Sequence, residues 1–330
     1  MKFPFLRPNP PKLSGHVDRL KVIEESGWFS NYGPVCREFE STVIKELFDG
    51  HGYCTSVNNA TTGLLITIKY LTDVCTSTSS KKSSKKRFAL MPSFTFAATA
   101  HAAIWNGLTP LFCDIDPLTW LPDIESEYNL LRRYSNEIAV IVPYATFGNC
   151  VDNGHYEDIF DHYGTPIVID AAASLGCKNS AGNQFGLECG FPVVFSMHAT
   201  KSFATSEGGL IYSTDEKLID IVRAMGNFGF NEPRSAHYPG LNSKLPEVNA
   251  LLCLEKLKTF GAVVESRQRS CEFYEKYLKG VRFQDFSHNK RPTYQFFPSV
   301  IPGATEVTRN AIVSNCSVNR HNWFFPRLAG

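Results

Sequence analysis

No two cysteines in this chain stand in a C-x-x-C arrangement, its nine histidines show no H-E-x-x-H or comparable spacing, and its charges nearly cancel. Each absence removes a class of function. Ten cysteines scattered without pattern argue against a zinc site or a disulfide framework. Most fall in apolar runs, as Cys54, Cys113 and Cys253 do, where a free thiol behaves as a small hydrophobe. A reducing, cytoplasmic setting is the expectation. The histidine spacing gives no reason to expect a metal site. A formal net charge of +1 argues against nucleic-acid and membrane-surface partners, which need a basic face. The densest basic run, KKSSKKR (Lys81–Arg87), is short and serine-rich and reads as a solvated loop. No apolar stretch approaches the roughly 18 residues of a membrane span. The opening MKFPFLRPNPPKLSGH holds too many prolines and too short an apolar run for a secretion signal.

What is present is alternation. Short apolar, β-branched runs recur as YCTSV, RFALM, PLFCD, IAVIV, IVID, PVVFS and GGLIYS. Continuous apolar runs of this kind suit strands buried on both faces of a mostly parallel sheet. Helical patterns lie between them. Pro34 opens one, with Val35, Phe39, Val43, Ile44 and Leu47 on one face, and Leu64, Leu65, Ile68 and Leu71 repeat the spacing after Asn59. The expected architecture is α/β, a seven-stranded open sheet with helices on both faces. From Lys244 the pattern changes to one long helix, followed by weaker strand signals in TYQFFPSVI. The 330 residues therefore divide into a large domain, 1–240, and a small α+β domain, 241–330.

In an open α/β sheet, ligands bind beyond the carboxyl ends of the strands, and four features fall there. NNATTGL opens a helix at Ala60 or Thr61, where free amides and the positive dipole end receive a phosphate, or where the helix is simply capped. Asp170 ends the buried run IVID; a carboxylate there either caps a helix or pairs with a protonated ring nitrogen. Phe94 and Phe96 follow RFALM, as core or as a stacking face. Ser196 ends PVVFS, and Lys201 follows among small hydroxyl residues, either an exposed loop lysine or a reactive amine. Together these are the parts of a pyridoxal phosphate site: phosphate cradle, ring platform, acid for the pyridine nitrogen, and amine.

Longer blocks carry a resemblance. ESGWFSNYGPVCREFE, VNNATTGL, MPSFTFAATAHAAIWNGLTPLFCDID, VIDAAASLG, FSMHATKSFATSEGGLI and GLNSKLPEVNALLCLEKL occur in the order of the motifs of the DegT/DnrJ/EryC1/StrS sugar aminotransferases. The chain resembles that family nearly end to end. The resemblance implies the type I, aspartate-aminotransferase fold and pyridoxal 5'-phosphate as cofactor. By it, Lys201 matches the Schiff-base lysine, Asp170 the partner of the pyridine nitrogen, and Phe96 the ring-stacking aromatic. Ala60, Thr61, Thr62 and Ser196 match the phosphate contacts, and Asn242 an asparagine reaching the phosphate of the other subunit in a homodimer. The implied reaction moves an amino group, typically from L-glutamate, to a nucleotide-linked 4-keto-6-deoxyhexose for surface polysaccharide, O-antigen or antibiotic sugars.

Three positions depart from the pattern. Ala60 stands where the family usually has Gly, and Ala173 where it often has Gln or His. The chain ends at NWFFPRLAG, where the family continues, so a fragment or an abbreviated small domain is the expectation. Cofactor chemistry would then survive while the keto-sugar is handled poorly. Two other readings are weighed against transamination: a non-catalytic dimeric paralogue, and a sugar dehydratase, which usually carries His in place of the lysine.

Overall fold

The computed structural model describes residues 7–74, 86–187, 189–232 and 234–315. The C-terminal NWFFPRLAG and most of the basic run at 81–87 lie outside the described residues. Helices α1 (Val17–Ser26) and α2 (Pro34–Leu47) precede strand β1 (Tyr53–Val57). Then α3 (Ala60–Lys69), β2 (Phe88–Pro92), α4 (Ala97–Trp105), β3 (Thr109–Cys113), α5 (Ile124–Tyr134), β4 (Ile138–Ile141), α6 (Asn153–Tyr163) and β5 (Ile169–Asp170) alternate. A short β6 (Lys178–Asn179) leads to β7 (Val193–Ser196), β8 (Gly209–Ser213) and α7 (Glu216–Met225). After a small hairpin, β9 (Phe230–Glu232) and β10 (Ser235–Ala236), comes the 31-residue α8 (Glu247–Tyr277). The described chain closes with β11 (Arg282–Phe283), β12 (Asn289–Arg291), β13 (Ser299–Val300) and α9 (Glu306–Asn315).

All seven runs read as strands from sequence contain one. Strand β2 is flanked by parallel β3 and β4, and β7 lies between parallel β5 and antiparallel β8, which pairs with β1. Parallel bridges Ile141–Ile167 and Tyr144–Asp170 join the two blocks. The order is therefore β3-β2-β4-β5-β7-β8-β1, with β8 alone running against the rest. Side chains alternate across the sheet. Leu90, Val193, Phe195 and Tyr212 meet α2, α5, α6 and α8 on one face, while Met91, Val194 and Ile211 meet α3, α4 and α7 on the other. Layers on both faces leave no room for polar alternation, which is why these strands read as continuous apolar runs. No helix of the described residues is long and apolar enough to cross a membrane.

Helix α2 shows how distant segments complete one another. Its N-cap is Gly33, which offers no side chain, so the first-turn amides need another acceptor. Buried Glu247, in the first turn of α8, accepts from Val35 N at 2.7 Å and Cys36 N at 3.0 Å. A Cβ at 33 would sit 2.7 Å from the Glu247 carboxyl carbon, so a larger residue would push that carboxylate off the helix start. One carboxylate thus fastens the starts of α2 and α8 together.

Two expectations are corrected here. The long helix begins at Glu247 rather than Lys244: Lys244 bridges to Val57, and Leu245 precedes Pro246, whose ring disfavours helical backbone in the residue before it. In TYQFFPSVI only Ser299–Val300 is a strand. Pro292 and Pro298 interrupt the ladder, and Thr293 and Gln295 spend their amides on the carbonyls of Gly148 and Phe147 instead. Residues 284–295 are tied to the segments around the sheet. Gln284 Nε2 donates to the Thr119 and Thr146 carbonyls, Asn149 Nδ2 to Asp285 O, and β12 pairs with β6.

Candidate active site

Helix α3 starts at Ala60, one of the two starts expected from sequence. Asn59 caps it, accepting from Thr62 N at 2.9 Å, and Thr62 Oγ1 donates to Asn58 Oδ1 at 2.6 Å. With Thr62 engaged, the amides of Ala60 and Thr61 are the first-turn donors left for an anion, since no intrahelical carbonyl reaches them. Gly209 at the start of β8 presses against this turn. A Cβ there would lie 2.7 Å from both Ala60 N and Asn59 C, closer than real contacts allow. Gly209 also pairs across the sheet with Ser196, whose hydroxyl accepts from His198 N at 3.3 Å. Ser196, Gly209 and Ala60 therefore stand side by side around one small cradle.

Gly209→Ala is expected to displace the first turn of α3 while leaving the sheet intact. Overpacking of this kind costs about 1–3 kcal/mol, which at the cradle appears as a loss of roughly ten-fold or more in affinity for pyridoxal phosphate. Fluorescence titration of cofactor-free protein measures it. Parental affinity in the variant contradicts the cradle.

Asp170 ends β5 and is 1 % exposed. Its Oδ2 accepts from Thr99 Oγ1 at 2.6 Å and its Oδ1 from Ala172 N at 3.1 Å. Burial raises the carboxyl above its ordinary value, and these two bonds and the charge of Lys201 draw it back. Both donors to it are neutral, and among the described residues no cationic nitrogen is in ion-pair contact with it. Thr99 lies in the first turn of α4, where Thr95 Oγ1 also meets its hydroxyl at 2.7 Å. Phe96 is the N-cap of that helix, 46 % exposed, whereas Phe94 is turned into edge-on contacts with Trp120 and Phe147. Of the two aromatics, only Phe96 presents an open ring, at the start of the helix whose Thr99 donates to the carboxylate.

Lys201 follows β7 in a turn held by its own amide on His198 O at 2.9 Å. Burial pushes its amine down to about 8, against an upward pull from Asp170. Its one hydrogen-bond partner among the described residues is neutral: Nζ donates to Gln295 Oε1 at 3.3 Å. The exposed-lysine reading fails on this burial. Together with Gln295, Arg267 and Tyr294, Lys201 lines a cleft of about 320 Å³.

Asn242 stands apart from the Lys201–Asp170 cluster. It bridges to Asn227, while its neighbour Ser243 accepts from Asn58 N at 2.6 Å beside the cradle. Ala173 is buried, and its carbonyl takes a bond from Thr293 Oγ1 at 2.7 Å. Thr99, Gly209 and Gln295 were not singled out from sequence. A helix threonine, one glycine of a pair and a glutamine in a strand-like run look ordinary until the fold brings them to the site. Among the described residues, no three His, Cys, Asp or Glu gather as a metal would require.

The donor set fits pyridoxal phosphate: a buried carboxylate with no ion pair among the described residues, an amine biased toward its neutral form, an exposed ring, and two helix amides that no carbonyl of their own helix reaches, beside a serine. A model of the DegT/DnrJ/EryC1/StrS aminotransferase family matches residues 14–320. The chain is 33% identical over 289 residues to "Protein MT3510" of Mycobacterium tuberculosis, covering 86% of this chain and 67% of that one. It is 28% identical over 326 residues to the dTDP-4-amino-4,6-dideoxy-D-glucose transaminase of Shigella dysenteriae, covering 97% and 84%. A crystal structure from Bacillus cereus ATCC 10987, assigned as a PLP-dependent aminotransferase, superposes with a TM-score of 0.86 at 34% identity, covering 96% of this chain and 83% of that one.

Proposed function

The chain belongs to the DegT/DnrJ/EryC1/StrS aminotransferase family, and from that premise we propose that it transfers an amino group from L-glutamate to the keto carbon of a nucleotide-linked 4-keto-6-deoxyhexose. Pyridoxal phosphate is the cofactor; when bound, it supplies an aldehyde for covalent attachment and a ring that withdraws electrons from the substrate α-carbon. The observation that carries the reading is Lys201, a partly buried amine biased toward neutrality and under the field of Asp170. A neutral amine is both a nucleophile and a proton carrier, and Lys201 would move the proton between the substrate α-carbon and the cofactor carbon beside it. Asp170, oriented by Thr99 and Ala172, would keep a proton on the pyridine nitrogen. Phe96 would cover one ring face, and the amides of Ala60 and Thr61 with Ser196 would hold the phosphate.

The decisive test is spectroscopic. The holoprotein is expected to lose its visible cofactor band with L-glutamate and regain it with dTDP-4-keto-6-deoxyglucose. A band unmoved by amino donors would sink the proposal. Capture of added cofactor should also accelerate with pH and level off above about 8, where Lys201 has shed its proton; an ordinary lysine would go on gaining free amine up to pH ~10.

The same reading assigns residues 1–240 to cofactor binding and 241–330 to a smaller domain, and places the protein in the cytoplasm. It also makes the active enzyme a homodimer with Asn242 reaching the partner subunit's phosphate site. Mixed Lys201→Ala and Asn242→Asp subunits should then recover activity through the one site that is intact in each heterodimer. Two inactive, freely exchanging parents that give an inactive mixture would contradict the shared site.

A further inference from the structure

The chemistry above leaves the hydrogen-bond partner of Lys201 without a role. Gln295 is 7% exposed, and its Oε1 accepts from Lys201 Nζ at 3.3 Å across 94 residues of sequence. The backbone that delivers it is unusually well fastened. Thr293 Oγ1 donates to Ala173 O at 2.7 Å, Ser202 Oγ donates to Thr293 O at 3.0 Å, and Gln295 N donates to Phe147 O at 3.1 Å. Between these ties Tyr294 has φ +46, a left-handed backbone that an aromatic residue seldom adopts. Such a conformation persists only where its surroundings over-determine it. From α8, Arg267 Nη1 donates to Tyr294 O at 2.6 Å and Gln295 O at 2.9 Å, clamping the turn from outside.

We propose that Gln295 is a further catalytic residue of this site: its amide oxygen receives the Lys201 amine whenever that amine is free of the cofactor, and Arg267 is the positioning residue that holds the 294–295 turn in place. The proposal rests on Lys201 being the cofactor lysine. An amide suits the task better than a carboxylate. It orients one N–H and so aims the nitrogen lone pair, without adding a full negative charge that would keep the amine protonated. Asp170 at the end of β5 acts on the amine, and the charged and titratable groups that line the same cleft are Lys256, Arg267, Cys271 and Tyr274 on α8, Arg7 from the N-terminal segment, and Tyr294 itself.

Competitive acetylation of cofactor-free protein across pH, read by mass spectrometry on the Lys201 peptide, titrates the amine directly. Gln295→Glu is expected to cut the reactive fraction at pH 8 about ten-fold or more, because a carboxylate replaces the amide at the nitrogen. Gln295→Met, of similar length but without the acceptor, should slow covalent capture of added pyridoxal phosphate about ten-fold and lower kcat for the glutamate half-reaction with KM unchanged. Arg267→Met should slow capture likewise, with partial recovery in Arg267→Lys. If either glutamine variant fails to fold, Gln295→Asn, one methylene too short to reach, should also slow capture. An unshifted titration in Gln295→Glu, or parental capture rates in Gln295→Met or Gln295→Asn, overturns the proposal. Were Lys201 not the cofactor lysine, the parent would capture nothing at Lys201, while the Gln295→Glu titration would still shift.

Discussion

Lys201→Ala is expected to fold, to retain pyridoxal phosphate without a covalent bond, and to lose turnover. The proposed phosphate cradle of Ala60, Thr61, Ser196 and Gly209 is built from α3, β7 and β8, and the lysine side chain is no part of it. Binding through the phosphate should therefore survive. The chemistry should not, because on the proposed reading the amine would be at once the covalent attachment point and the proton carrier. Positioned proton transfer alone is worth about 10²–10⁴-fold in rate, and losing covalent attachment adds to it. Removing a partly buried amine also removes its desolvation cost, so the variant should melt no lower than the parent despite the small cavity. Borohydride reduction of the parent holoprotein, followed by peptide mapping, identifies the attachment residue independently. A label on any other lysine ends the claim.

Asp170→Asn separates binding from catalysis. The carboxylate is fully enclosed, its two donors are neutral, and burial alone raises it above its ordinary value. A protonated ring nitrogen would be its charged partner, and a hydrogen bond to a charged group is worth about 1.5–3 kcal/mol. Asparagine keeps the shape and the acceptor but not the charge. Cofactor affinity should weaken by roughly that amount, about ten- to hundred-fold. The amino-transfer rate should fall much further, since an unprotonated ring nitrogen is a poor electron sink. Single-turnover measurements at saturating cofactor isolate the second effect. Equal rates in variant and parent would remove Asp170 from the mechanism.

The site divides sharply into residues legible in sequence and residues that were not. Lys201, Asp170, Phe96 and the turn at Ala60 lie at strand ends or helix starts, where an open sheet presents its ligands. The short hydroxyl-rich segments around them form connected motifs. Thr99 carries no such mark, although it stands three residues after Phe96 on the turn that faces Asp170. Gln295 was hidden more deeply, because TYQFFPSVI has the composition of a strand and spends its hydrogen bonds on loop carbonyls instead. Thr62 appeared in the sequence as one of three equivalent phosphate contacts; the structure engages its amide with Asn59.

By itself the sequence determined the α/β alternation, a helix opening at Ala60 or Thr61 and the helix at Pro34, because each depends on local chemistry, and its motifs marked Lys201 and Asp170 as the candidate amine and carboxylate. Apolar runs bury strands, small polar residues open helices, and a proline at the first position starts one. The tertiary structure alone decided the reversed direction of β8, the fastening of α2 by a glutamate 212 residues away, and the glutamine facing Lys201. None of these follows from neighbouring residues, since each is a hydrogen bond or close approach between segments that only the packed sheet and its helices bring together. The depressed titration of Lys201 belongs with them: its first cause is burial, and burial is a property of the whole fold.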